Sequence, residues 1–358
     1  MAKKVLVAMS GGVDSSVAAY LLKKNGFDVT GVTMCLGVKD INSGRSARCG
    51  RQAARYAKKV CVKLKLPHYV MDFSEELEKR VVERFVSEYA NGRTPNPCVD
   101  CNRSLKFGIL LEKALGLGFD FLATGHYAGI EKNKKNYRLK KAKDRKKDQS
   151  YFLYAIKKKS LQFILFPLSG LTKPEVREIA KSAGLPAADK PESQDVCFVP
   201  EGNFRGFLSK RINNPRRGPV LNLRGDVMGE HKGAFFYTIG QRGGLGIAYS
   251  RPLYVLGVNT EKNRVVIGER KELKARGLVA GETNELAGRL PEKAFARIRY
   301  AHKEAKCSIF RDQNKLRVIF EKPQEAITPG QSVVFYAGDT VLGGGVIENV
   351  IKEKKKWP

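Results

Sequence analysis

The chain opens on an apolar run, Val5-Leu6-Val7-Ala8, that passes into the polar string Ser10-Gly11-Gly12-Val13-Asp14-Ser15-Ser16 and then into the apolar-periodic segment Val17-Ala18-Ala19-Tyr20-Leu21-Leu22. This order predicts a strand, a glycine turn and a helix. Further along, 29–33 reads as a second strand, 53–65 as a helix, 68–71 as a third strand, 75–90 as a charged helix and 105–115 as another. A buried-type strand over 119–123 ends at Thr124-Gly125-His126-Tyr127, and a helix over 173–183 lies between Thr172 as N-cap and Gly184 as stop. Strands alternating with helices predict a doubly wound parallel sheet, whose ligands bind beyond the carboxyl ends of the strands. The loop at Ser10 and the turn at Gly125 both fall at such ends.

The texture changes near Glu201-Gly202-Asn203. From Gly218 onward, short runs such as 235–239 and 253–258 alternate with Gly, Asn and Lys turns, which predicts a small central β-rich domain. After Gly281 the runs at 294–299, 315–320, 332–336 and 343–347, with a Pro329-Gly330 turn, suggest a C-terminal β-barrel. The expected division is 1–202, 203–280 and 281–358.

A strand feeding a glycine turn and a helix aims backbone N–H groups and the positive end of the helix dipole at one point, where phosphate oxygens bind well. Ser10, Ser15 and Ser16 add hydroxyl donors. The loop lacks the Gly-Lys-Ser/Thr of a Walker A motif and the spaced glycines of a dinucleotide fingerprint. It resembles instead the Ser-Gly-Gly-x-Asp-Ser loop of the PP-loop ATP pyrophosphatases, which implies cleavage of ATP to AMP and pyrophosphate.

Composition narrows the partner. The chain holds 358 residues with 66 Lys and Arg against 36 Asp and Glu, a formal charge of +30, which calls for a polyanion such as nucleic acid. Many of these charges lie in one segment, Lys132, Lys134, Lys135, Arg138, Lys140, Lys141, Lys143, Arg145, Lys146 and Lys147, with Tyr137 among them. A second run, Lys352, Lys354, Lys355 and Lys356, reads as a solvated tail. No stretch approaches the roughly 18 to 20 apolar residues of a membrane span, and no secretory segment is seen, so the expected location is cytoplasmic with no membrane partner. In that compartment seven cysteines argue for thiol chemistry or metal ligation over a disulfide scaffold.

The thiols are not scattered evenly. Thr94-Pro95-Asn96-Pro97 stiffens the approach to Cys98-Val99-Asp100-Cys101, a spacing that suits a metal, a cluster or redox-active thiols, and Cys197 after Ser193-Gln194-Asp195 is a natural third member. Cys35, Cys49, Cys61 and Cys307 lack matching spacing and are expected to be buried as small hydrophobes. His68 is expected to be structural, and His231 and His302 carry no motif. His126 differs, because its Gly-His-Tyr turn ends a buried strand on the ligand side.

Taken together, the motifs at 8–15, 94–102, 123–127, 147–152, 193–198 and 237–242 resemble, in order and along nearly the whole chain, those of the tRNA-specific 2-thiouridylases. The resemblance implies an adenine nucleotide α-hydrolase-like PP-loop domain. It implies contacts to ATP, with Mg2+, from Ala8, Met9, Ser10, Gly11, Gly12, Val13, Asp14, Ser15, Met34 and Gly125. It implies Cys101 as nucleophile, Cys197 as persulfide carrier and His126 beside the reaction. Asn96, Pro97 and Cys98 would surround the target base, and Lys147, Asp148, Gln149, Arg299, Tyr300 and Gln331 would contact tRNA. The implied reaction is adenylation of the 2-oxygen of the wobble uridine, then sulfur transfer from a persulfide or sulfide donor such as a cysteine desulfurase or relay protein.

Many members have Asp where Cys98 stands, so a carboxylate at that position is excluded here. The set Cys98, Cys101 and Cys197 also resembles the three-cysteine pattern of tRNA thiolases that hold a [4Fe-4S] cluster with one iron open. Persulfide, cluster and structural zinc remain alternatives at this point. So do an amidating PP-loop synthetase, which needs no such cysteines, and a non-catalytic, metal-stabilised RNA-binding protein. Gln241-Arg242 is either an RNA contact or a tight turn.

Overall fold

The computed structural model describes residues 2–38, 51–134, 136–186, 196–199, 202–212 and 215–352. Cys49, Lys135, Glu201, the 191–195 stretch before Cys197 and Lys354, Lys355 and Lys356 lie outside the described residues.

Strand β1 (Lys4–Ala8) leads into helix α1 (Val13–Lys24), followed by β2 (Asp28–Cys35), α2 (Arg51–Lys63) and β3 (His68–Asp72). A helical run then passes from α3 (Ser74–Leu77) through a π-helical turn (Glu78–Val82) to α4 (Glu83–Ala90). A second run joins α5 (Pro97–Asp100), a π-helical stretch (Cys101–Leu110) and α6 (Leu111–Gly116). This run begins eight residues before the helix expected at 105. Pro97 sits in its first turn, where the missing N–H costs nothing and the fixed φ favours helix.

The chain continues through β4 (Phe121–Thr124), a hairpin of β5 (Gly129–Asn133) and β6 (Asn136–Lys140), β7 (Ile164–Leu165) and α7 (Lys173–Ser182). Strands β3-β2-β1-β4-β7 form one parallel sheet, as expected. Alternation along β1 explains why both faces are covered. Val5 and Val7 pack with Val17, Ala57, Val60 and Ala180 on one side, while Leu6 packs with Leu77, Val81, Leu105 and Leu110 on the other. The order reverses between β1 and β4, so a crevice opens beyond their carboxyl ends, and the loop after β1 meets the turn after β4 there.

After α8 (Phe204–Ser209), strands β8 (Gly218–Leu221), β9 (Val227–His231), β10 (Tyr254–Asn259) and β11 (Arg264–Gly268) make a four-stranded central sheet. The expected strand at 235–239 is instead a 3-10 turn, Ala234–Phe236. Phe235, Phe236 and Tyr237 are buried in succession, which a half-exposed strand cannot do, and Gly233 at φ 147° breaks the backbone before them.

The last six strands, β12 (Lys274–Glu285), β13 (Lys293–Arg297), β14 (Ala305–Asp312), β15 (Lys315–Glu325), β16 (Ser332–Ala337) and β17 (Thr340–Ile351), close into a barrel through the β12–β17 pairing. The division expected at 280/281 falls inside β12. The β5–β6 hairpin, which carries much of the basic segment, adds to the barrel at β17 through Lys140 and Thr340. Among the described residues no helix is long and apolar enough to cross a membrane.

Candidate active site

The glycine loop is built by close packing. Gly11 has φ 71°, and a Cβ there would lie 2.5 Å from the Ala53 carbonyl oxygen. Gly12 is extended, and a Cβ on it would meet nothing nearer than Ser10 Oγ at 3.4 Å. Gly11 is therefore required by the fold, whereas Gly12 leaves the mouth of the loop open. The hydroxyls of Ser15 and Ser16 donate to the Gly12 carbonyl at 3.2 and 2.8 Å, and the Gly12 N–H donates to Ser10 Oγ at 3.3 Å. Met9 and Val13 are buried, and Met34 stands half-buried near the end of β2.

Gly125 presses on the start of α1. A Cβ at this position would lie 2.6 Å from Ser15 N and 2.7 Å from the Asp14 carbonyl carbon. The next residue, His126, hydrogen-bonds through Nδ1 to Thr124 Oγ1 at 2.8 Å and packs between Phe107 and Phe166, with ring centroids at 5.9 and 6.1 Å. Desolvation, reinforced by the Lys106 charge, holds its pKa well below 6.5, so the imidazole is neutral at pH 7.

Lys106 also faces the cysteine pair. It donates to Asn102 Oδ1 at 3.0 Å, and its charge favours the thiolates of both Cys98 and Cys101. Surrounding protein outweighs it, and desolvation raises both thiol pKa values. Cys98 is exposed at its surface, while Cys101 is only 7% exposed. Sequence reasoning missed Lys106, although its place five residues beyond Cys101 on one helix is a usable signal. Gly108 suits the π winding that carries it. A Cβ on Gly108 would lie 2.9 Å from the Arg103 carbonyl oxygen, so only glycine fits there without a shift.

Cys197 is exposed on a short turn in which Val199 N–H bonds the Val196 carbonyl. Phe198 anchors this turn edge-on to Phe85 of α4, centroids 5.3 Å apart. The neighbouring Arg84 pairs with Asp100 at 3.4 Å, so α4 packs against the turn of Cys197 and also holds the helix of Cys101. Among the described residues no group of three or more His, Cys, Asp or Glu side chains is gathered to hold a metal ion. Cys98, Cys101 and Cys197 are thus not drawn together as a group of three in this arrangement.

The residues expected at tRNA fall into two groups. Half-buried Lys147 lies near Tyr300, whose exposed ring tilts against Phe152 at 4.6 Å, while Gln149 is half-buried and accepts from Tyr127 N–H at 2.9 Å. Asp148 is buried and holds the loop from inside, accepting from Ala142 N–H and from the Ser150 N–H and hydroxyl. Arg299 donates to the Ile239 carbonyl at 2.7 Å and to Thr328 Oγ1. Gln331 donates to the Thr94 and Pro95 carbonyls at 2.9 and 3.1 Å, holding the approach to Asn96, Pro97 and Cys98 against the barrel. Gln241 closes a tight turn, accepting from Thr238 N–H and donating to the Gly243 carbonyl.

Of the cysteines expected to be buried, three are described, and two of them are buried. Cys61 and Cys307 are buried, with pKa values pushed up to about 11 and about 12 by desolvation. Cys35 is only half-buried. His68 bonds Thr33 Oγ1 at 2.9 Å, and His231 bridges the Asn263 carbonyl and Gly233 N–H.

A glycine loop and a Gly-His turn closing one crevice of a parallel sheet, with a cysteine helix across it, define an α/β protein of the nucleotide-loop class with a thiol-bearing site. Family models described as a tRNA methyl transferase HUP domain, a tRNA methyl transferase PRC-barrel domain and an aminomethyltransferase beta-barrel domain match residues 3–201, 205–269 and 275–347. The tRNA-specific 2-thiouridylase MnmA 1 of Syntrophus aciditrophicus is 53% identical over 98% of this chain and 94% of its own. Those of Caldanaerobacter subterraneus and Moorella thermoacetica are each 47% identical, over 98% and 96% of this chain and 99% of theirs. The chain belongs to the tRNA-specific 2-thiouridylase family and is a tRNA sulfurtransferase.

Proposed function

We propose that this protein converts the wobble uridine of tRNA to 2-thiouridine, using ATP bound at residues 8–15, Met34 and Gly125. ATP enters with its Mg2+. The uridine 2-oxygen attacks the α-phosphorus, pyrophosphate leaves, and the oxygen becomes part of an AMP leaving group, which carbon 2 can expel far more readily than oxide.

Sulfur arrives as a persulfide on Cys197, loaded by a persulfide donor. The Cys101 thiolate attacks the Cys197 sulfur, forming a Cys101–Cys197 disulfide and releasing hydrosulfide. Hydrosulfide adds to carbon 2, AMP departs with the C–O bond electrons, and loss of the remaining S–H proton leaves the C=S bond. A thiol reductant restores the two cysteines. Asn96, Pro97 and Cys98 border the base, and Lys106 stabilises the anionic sulfur. Neutral His126 serves as a hydrogen-bonding group and not as a cationic acid. An unpaired anticodon base reaches such a pocket at modest cost.

The observation that carries this reading is the bridge made by Gly125 and His126. One residue abuts the glycine loop and the next packs on the helix of Cys101 and Lys106, which supports a reading in which adenylation and thiol chemistry share one crevice. The test is anaerobic thiolation of unmodified tRNA with ATP and a persulfide donor, following AMP and 2-thiouridine together. Formation of both in equal amounts, lost in Cys101→Ser and Cys197→Ser, is expected. Full activity in both variants would overturn the sulfur-transfer assignment.

A further inference from the structure

The string Ala8 to Ser16 contains no lysine or arginine, and its one charged residue, Asp14, is acidic. A loop that grips a polyphosphate with neutral donors alone leaves several negative charges uncompensated. The nearest answer comes from another element. Lys173, the first residue of α7, is 7% exposed, and its ammonium donates to both Asp14 carboxylate oxygens at 2.7 and 2.8 Å. Tyr127, two residues beyond Gly125, donates its hydroxyl to the same Asp14 Oδ1 at 2.9 Å.

This is an unfavourable place for a lysine on local grounds. Burial removes the hydration of the ammonium, and the first turn of a helix is the positive end of its dipole. The backbone does not need the side chain, because Thr172 and Glu175 cap the helix and the Lys173 N–H is bound by Asp144 Oδ2 at 2.9 Å. That bond fixes the root of the side chain against the basic segment while its tip lies at the phosphate loop.

We propose that Lys173 is the phosphate-binding cation of the loop, held by Asp14 until ATP enters and then shared with the pyrophosphate portion of the nucleotide. Asp14 is its holder, keeping the ammonium placed before binding and taking it back when pyrophosphate leaves. The inference rests on the reading that residues 8–15 hold ATP, and it goes beyond that reading by naming the group that recognises the polyphosphate.

The test is calorimetric titration of the full-length protein and of Lys173→Met with ATP, inorganic pyrophosphate and AMP in turn. Lys173→Met is expected to lose roughly ten- to hundredfold in affinity for ATP and pyrophosphate, the scale of a charge-assisted contact, while AMP binds within about twofold of wild type. Lys173→Arg is expected to recover part of the loss. Should Lys173→Met not fold, the double variant Lys173→Met/Asp14→Asn removes both buried charges together and carries the same comparison. Unchanged affinity for ATP and pyrophosphate, or equal losses for all three ligands, would overturn the assignment while leaving the ATP site standing. Wild-type protein that binds neither ATP nor AMP would overturn both.

Discussion

Arg103 lies two residues past Cys101 on the same helix, and its guanidinium donates to Glu282 of the barrel at 3.0 Å. Glu282 accepts from Arg84 as well, at 2.9 Å, and both arginines also pair with Asp100, the residue before Cys101. Glu282 adopts φ 43°, an unfavourable backbone for a side chain of its kind, inside the β12 irregularity between Gly281 and Asn284. The barrel thereby reaches into the catalytic domain and sets the cysteine helix.

Glu282→Gln should leave the barrel folded and loosen that helix. A half-exposed ion pair is worth only about 1 kcal/mol or less, so the melting temperature should change little. The thiolation rate should fall on the order of tenfold or more if the sulfur must be placed within an ångström. Thermal melts alongside single-turnover thiolation check this, and a large loss of stability with an unchanged rate would contradict it.

The two loop glycines should separate folding from binding. Gly11→Ala forces a side chain into φ 71° and onto the Ala53 carbonyl, and should cost about 1–3 kcal/mol of stability. Gly12→Ala should fold as wild type, since its Cβ meets only an ordinary contact, and should still weaken ATP by narrowing the mouth of the loop. Denaturant titration and ATP titration on the same preparations decide.

Lys106→Met should raise the pH at which Cys98 and Cys101 become nucleophilic, because it removes the charge that partly offsets their desolvation. The measurement is iodoacetamide labelling against pH, resolved by peptide mass spectrometry. Cys98 should label faster than Cys101 at every pH, given the exposure of the one and burial of the other. An unshifted profile would remove Lys106 from the site's electrostatics.

Stability should fall as pH drops below about 6.5. Desolvation lowers the pKa values of His68, His126, His231 and His302 in the fold. Below the unfolded value of about 6.5 the unfolded chain takes up protons that the folded chain refuses, so unfolding gains free energy as pH falls toward the folded values. His126→Asn should blunt the loss measured by thermal melts between pH 6.5 and 5.5. Identical slopes in the variant and wild type would contradict a desolvated, neutral imidazole.

The local order of residues was enough to place the strand, glycine turn and helix at 4–24, the alternation of the first domain, the stiffened cysteine pair and four of the six barrel strands, β13, β15, β16 and β17. Each is a short-range property, carried by periodicity, by the conformational freedom of glycine or by the rigidity of proline. The sequence also placed Thr172 and Gly184 at the ends of α7, since capping depends on neighbours three or four residues away.

What the sequence could not show are relations between residues far apart along the chain. Lys173 reads as an ordinary helical lysine until the fold lays it on Asp14, and Glu282 reads as a strand residue until the barrel meets Arg84 and Arg103. Gln331, expected at RNA, also holds the Thr94 and Pro95 backbone, a partnership between segments more than 230 residues apart that no local pattern shows. Succession along the chain determined which groups this protein possesses. Only tertiary packing decided which charges face one another, because burial and distance, and not sequence order, set the strength of those interactions.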